Sequence, residues 1–355
     1  MNKALFILPL ILLTLITAIW SGWIRIGINL PVTAVAAHHG SLMINGFLAS
    51  LILLERAVTF KNKWILLLPF VNAASLIAVA AGFHNIAPII HIAGSFGFLL
   101  MCAWFIYQYK ELYYYVFFAG AFCLLTGNIV LFKTELYPAS IVWWMQFLLF
   151  TIVAERLELS RFLPLRASKR ILLIVILAAV LVSAFIPFHL HGNIIFAITL
   201  TATAVWLLKY DMAFKSIKAK GQHRYSGSLL ITGYLWLIIT SILLITEKNL
   251  SFGYDAVLHS FFIGFVFSMI FSHAPIILPA VAKLPIKIYR PLLYVWFIAL
   301  QFSLIMRIIG DVAEHIAIRR WSGMINGITI LLFFLTVIFI VVQELSKRKS
   351  KLSKS

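Results

Sequence analysis

Twelve long stretches of apolar residues follow one another along this 355-residue chain. A helix needs about 20 apolar residues to cross the hydrocarbon core of a bilayer, and in lipid its backbone groups must be paired within the segment. We therefore expect an all-α, polytopic transmembrane helical bundle of about 12 spans. It would form a single transmembrane domain over residues 1–346, with a basic tail over residues 347–355. The stretches lie at about 4–23, 38–60, 64–82, 86–107, 112–132, 138–157, 171–187, 192–208, 227–246, 254–282, 288–309 and 323–343.

Charged residues are scarce, and most of them are basic. They make up 11% of the chain, which carries a formal net charge of +18, whereas soluble domains contain about 25% charged residues. In a soluble protein such a charge would suggest nucleic-acid binding. Here the basic residues lie between apolar stretches, where they set topology and meet anionic lipid. The expected partner is the lipid bilayer, and nucleic acid is excluded.

The distribution of Lys and Arg between the two sides predicts the orientation. With the N-terminus inside, the inner segments hold 23 basic residues and the outer segments hold 6. Segments rich in Lys and Arg stay in the cytoplasm. The sequence therefore predicts a multi-pass protein of the cell inner membrane with both termini cytoplasmic.

Most of the ten histidines fall near the predicted outer side. Among them, His39 and His259 occupy the outer parts of the second and tenth predicted helices. Ionisable residues at membrane depth are functional candidates, and two neutral imidazoles can ligate a haem iron axially. Gly46 and Gly264 would let a flat ring approach the backbone. His38 is the alternative to His39, since adjacent residues differ by about 100° around a helix and cannot face one centre.

The remaining histidines are less favoured as metal ligands. His91 could line the same outer cavity, or bind copper together with His189 and His191. His273 lies on the same helix as His259 but about 21 Å away along the axis. It therefore needs its own role, either bonding carbonyls freed at a proline kink or binding a second haem.

Two charged patterns accompany the histidines. Arg307 and Asp311 are spaced i, i+4, which predicts a plain salt bridge; the alternative is a clamp in which Arg307 and Arg25 hold haem propionates. The second pattern is Glu55-Arg56, echoed at Glu155-Arg156. We interpret it as two ordinary helix ends with interfacial charges.

Two segments carry a resemblance to a known family. Residues 39–48 (HGSLMINGFL) with 55–58 (ERAV) resemble the second-helix motif of the NnrS family, and residues 258–273 are similar to its tenth-helix region. The resemblance implies a twelve-helix membrane protein that carries haem, is linked to nitric oxide metabolism and is distantly similar to the catalytic subunit of haem-copper oxidases. In that larger group, histidines of helices 2 and 10 hold a low-spin haem, and His39 and His259 occupy the matching places. The copper-binding histidines of helices 6 and 7 are missing, so we do not expect an oxygen-reducing centre.

The sequence thus predicts a haem-binding integral membrane protein. Its role would be nitric oxide handling, or electron transfer with a redox partner near the outer face. The alternatives are a secondary transporter of a small solute and an accessory or assembly protein without a cofactor. Acidic residues are nearly absent from the middle of the predicted spans, which disfavours ion-coupled transport.

Overall fold

A computed structural model of the chain describes residues 4–160, 166–282 and 284–352. Its described part is helical and contains no strand, which confirms the prediction of an all-α bundle. We number the long helices α1 (Ala4–Arg25), α2 (Thr33–Ala57), α3 (Lys63–Ala80), α4 (Ile86–Tyr109), α5 (Leu112–Thr134), α6 (Tyr137–Leu159), α7 (Ala167–Ser183), α8 (Gly192–Tyr210), α9 (Gln222–Asn249), α10 (Gly253–Val281), α11 (Leu293–Val312) and α12 (Ile316–Leu352).

These helices match the predicted apolar stretches one for one. Within the described residues, 11 of them are long and apolar enough to cross a membrane. The exception is α7, which has 17 residues and is therefore about 26 Å long at the α-helical rise. Large apolar side chains such as those of Trp64 and Phe302 are exposed on the outside of the helices. Such faces need lipid as their solvent, so the chain is a multi-pass membrane protein.

The chain divides into two compact units, Met1–Gly192 and Asn193–Ser355. In the first unit, α6 is buried over most of its length, as expected for a helix that is apolar all round. Helix α5 packs closely against it at Gly127, where an added Cβ would lie 2.7 Å from Cδ1 of Trp144. Small residues allow this kind of close approach between membrane helices.

In the second unit, α9 packs against α10, and α11 runs alongside α12. The rings of Phe271 in α10 and Phe333 in α12 stack with centroids 3.7 Å apart. Helix α12 continues as far as Leu352, so most of the predicted basic tail extends this helix, and residues 353–355 lie outside the described part.

Helices α2 and α10 each contain a segment of π-helix, at Leu42–Ala49 and Ser260–Phe267. Both follow one pattern, in which the fifth and sixth residues are Gly-Phe and a serine comes directly after the segment. π-Helical turns are rare and occur frequently at functional sites. In α2, the carbonyl of Asn45 accepts hydrogen bonds from Asn72 Nδ2 (2.7 Å) and Ser50 Oγ (3.1 Å), which satisfy it where regular α-helical bonding is lost.

Candidate functional site

His39 lies at the start of the α-helical turn that leads into the first π-helical segment. Its Nδ1 is 2.7 Å from the carbonyl oxygen of Ala18 and 3.3 Å from Ser21 Oγ, both in α1. Because a carbonyl only accepts, Nδ1 carries the hydrogen and Nε2 carries the lone pair. The ring lies directly over Gly22, where an added Cβ would be 2.8 Å from Cε1 of the imidazole. Helix α1 therefore fixes both the tautomer and the position of His39.

The α-helical turn His39–Ser41 is also held by α6. Tyr137 donates from its hydroxyl to Ser41 Oγ at 3.1 Å, and its ring covers Gly40, where an added Cβ would lie 3.0 Å from Cε1 of the tyrosine. Ser41 in turn donates to the carbonyl of His38 at 3.1 Å. Contacts from two other helices thus fix the backbone that presents His39.

His38 has different surroundings from His39, as the sequence spacing predicts. Its ring stacks on that of His84, with centroids 4.7 Å apart and planes inclined by 11°. His91 is buried, and its Nε2 lies 2.8 Å from Ser75 Oγ. The structure therefore places His38 with a second histidine and His91 with a serine hydroxyl.

The residues that we considered for copper do not form a cluster in the described part of the chain. There, no group of three or more His, Cys, Asp or Glu side chains could hold a metal ion. His191 is exposed and has a positive φ of 66°, while the side chain of His189 lies outside the described residues. The copper site thus stays a prediction.

His259, in the second unit, is the last residue before the second π-helical segment. Its Nδ1 lies 2.8 Å from the carbonyl oxygen of Asp255 and 3.3 Å from the Oδ1 of the same residue. The hydrogen therefore sits on Nδ1 and the lone pair on Nε2, as in His39. A histidine whose Nδ1–H is held by a carbonyl and a carboxylate has the usual arrangement of a metal ligand.

Asp255 also belongs to a network of four charged side chains from α10, α11 and α12. It pairs with Arg307 and, at 2.9 Å, with Arg319. Asp311 completes the network, 2.5 Å from Nε of Arg319 and 3.4 Å from Nε of Arg307. The side chains of Arg307 and Asp311 are only 2% and 0% exposed. Two positive and two negative charges balance, which is the condition for keeping such groups buried.

The salt bridge predicted between Arg307 and Asp311 is therefore confirmed. Arg307 also donates from Nη1 to the carbonyl of Arg319 at 3.0 Å, so protein groups engage each of its three nitrogens. Its carboxylate partners in the structure are those of Asp255 and Asp311. Arg25 is the last residue of α1 and is exposed, whereas His273 is buried in α10.

A second charged cluster, in the first unit, is more than the two ordinary helix ends that we inferred from the sequence. Arg56 of α2 reaches Glu158 at 2.9 Å, Glu155 at 3.5 Å and its neighbour Glu55 at 3.4 Å. Its guanidinium also lies 4.1 Å from the ring centroid of Phe117 in α5. The repeated Glu-Arg pair was the signal in the sequence, because it marks the ends of α2 and α6 that meet in the fold.

Among the comparisons with known proteins, only the search of family models finds a match. Neither the curated proteins nor the solved structures contain a match to this chain. A family model described as "Domain of unknown function (DUF8744)" matches residues 4–342, which covers all but the two ends. The chain therefore belongs to the DUF8744 family.

Proposed function

We propose that the chain is a haem-binding membrane protein and that His39 and His259 are its iron ligands. One observation carries this proposal. Each of these histidines leads into a π-helical segment, and each donates from Nδ1 to a backbone carbonyl oxygen. The two units thus share one local arrangement, built around an imidazole whose Nε2 carries the lone pair.

The chemistry of these residues fits a haem. Iron binds the neutral imidazole through the nitrogen that carries the lone pair, and the hydrogen bond at the other nitrogen orients the ring. Beside His259, the carboxylate of Asp255 adds negative charge, which raises the basicity of the imidazole. Apart from Asn45 and Ser260, the π-helical segments that follow are apolar, and they contain Phe47 and Phe265 at equivalent positions, as suits a large apolar ring.

The charged residues take separate roles in the proposal. Arg25, exposed at the end of α1, is the candidate partner for a propionate. Arg307 acts indirectly, because it holds the carboxylate of Asp255 that contacts His259. In the orientation predicted from the Lys and Arg distribution, the N-terminus is cytoplasmic. His39 and His259 then each belong to the outer part of their helix. The resemblance to the NnrS family supports nitric oxide handling, or electron transfer with a redox partner there.

Absorption spectra of the protein purified from haem-replete cells test the proposal. The wild type is expected to show a Soret band that shifts on reduction, and His39→Ala and His259→Ala should each weaken or shift it. His223→Ala is the matched control, since this exposed histidine at the start of α9 is not among the proposed ligands. A folded but colourless wild type would contradict the proposal; solute uptake by proteoliposomes of that protein would favour the transporter.

A further inference from the structure

The side-chain amide of Asn45 is buried, and the described part of the chain offers it no hydrogen-bond partner. It lies in the π-helical segment of α2, six residues after His39, and is 0% exposed. Among the described residues, neither Nδ2 nor Oδ1 of its side chain has a partner. Its backbone carbonyl, in contrast, accepts from Asn72 and Ser50. The missing partners are thus confined to the side chain.

Other buried amides in the same unit are satisfied. Asn72 donates to the carbonyl of Asn45 and to Ser50 Oγ, and Asn128 both donates to the carbonyl of His91 and accepts from Trp144. Membrane interiors hold little water that could replace a missing partner. An unpaired buried amide is therefore costly, and an apolar residue of similar size would avoid that cost.

We propose that Asn45 binds the protonated carboxyl group of a largely apolar ligand. The carboxamide offers a donor and an acceptor side by side, and a carboxylic acid complements both: its carbonyl accepts from Nδ2 and its hydroxyl donates to Oδ1. A carboxyl group in these surroundings stays neutral, because burial disfavours its charged form. Asn45 thus makes the site bind a carboxylic acid in preference to the ester of that acid.

Two molecules found in membranes carry this group, haem through its propionic acid arms and free fatty acids. The inference rests on the proposed function where the ligand is haem. A fatty acid would use the same amide with no iron ligand.

Titrations of the ligand-free, full-length protein in detergent test the inference. The probes are haemin and oleic acid, each compared with its methyl ester, which keeps the acceptor but lacks the O–H donor. The wild type should bind the acid form of the true ligand at least about tenfold more tightly than the ester. Asn45→Leu, which is nearly isosteric, should bind acid and ester equally.

Thermal unfolding of the ligand-free protein gives a second readout. Asn45→Leu should raise the melting temperature by about 2–4 °C, because it removes an unpaired buried amide. Asn72→Leu is the matched control, and it should lower the melting temperature because it breaks two hydrogen bonds.

The outcomes separate the inference from the haem proposal. Discrimination between haemin and its ester identifies haem as the ligand, and discrimination confined to oleic acid identifies a fatty acid. In the latter case the absorption spectrum decides the haem proposal on its own. The inference is overturned if the wild type binds each acid and its ester alike, if Asn45→Leu keeps the preference, or if this variant melts below the wild type without ligand.

Discussion

Gly22 supports the imidazole of His39, and a methyl group in its place should displace that ring. An added Cβ would lie 2.8 Å from Cε1 and 3.1 Å from Nδ1 of His39, whereas ordinary contact begins at 3.4 Å. The ring must therefore retreat by roughly 0.6 Å, which disturbs the 2.7 Å hydrogen bond from Nδ1 to Ala18. Loss of such a bond behind a metal-binding histidine typically lowers affinity 10–100-fold. For Gly22→Ala we expect haem affinity to fall by that factor, or about 1.4–2.8 kcal/mol.

Haemin titration followed at the Soret band measures this effect directly. Gly46→Ala is the control, because it adds the same methyl group to the packing of α2 on α1. There the three atoms nearest the new Cβ all belong to Thr14, the closest at 3.3 Å, so this side of Gly46 packs on α1 and does not face a flat ring as the sequence predicts. The reasoning is refuted if Gly22→Ala binds haemin as tightly as the wild type. It is also refuted if Gly46→Ala loses as much affinity, since general overpacking would then explain both results.

Three further substitutions test the charged clusters. Asp311→Asn leaves two arginines to share the single carboxylate of Asp255, so it should lower the free energy of unfolding by about 3–5 kcal/mol. Glu344→Gln, in a partly exposed pair, should cost at most about 1 kcal/mol; equal losses in denaturation would argue against the buried network. Asp255→Asn keeps the hydrogen bond from His259 to the backbone carbonyl of residue 255 but removes a negative charge. A redox titration should therefore show a higher haem reduction potential, and an unchanged potential would count against the role of this carboxylate. Arg56→Leu leaves three carboxylates without their shared cation and should destabilise the protein by about 3–5 kcal/mol; a wild-type melting curve would contradict this.

The fold was predictable because lipid imposes a simple rule. Each apolar stretch had to become a helix, and each did. Boundaries were less predictable, since helical hydrogen bonding continues beyond the hydrocarbon core: the stretch at 323–343 became α12, which runs from Ile316 to Leu352. The π-helical segments could not be predicted, because residues 42–49 and 260–267 are as apolar as the regular helix around them. What stabilises the first segment is Asn72, a residue of another helix.

Within the candidate site, the sequence predicted only contacts between residues of the same helix. The pair Arg307 and Asp311 follows from i, i+4 geometry within one helix. The bonds from Asp255 to Arg307 and Arg319 join three helices, and no spacing in the sequence shows which helices pack together. Asp255 lies at the start of α10, where a carboxylate also matches the helix dipole. Its contacts with two arginines and His259 became visible only in three dimensions.

The ligand set of the iron is the most direct test of the account. Electron paramagnetic resonance of the oxidised, purified protein reports whether a ferric haem is low-spin and bound by imidazole. We predict a low-spin signal typical of two imidazole ligands in the wild type, replaced by a high-spin signal in both His39→Ala and His259→Ala. A wild-type haem signal that survives unchanged in either variant, or the absence of any haem iron, would contradict the central claim.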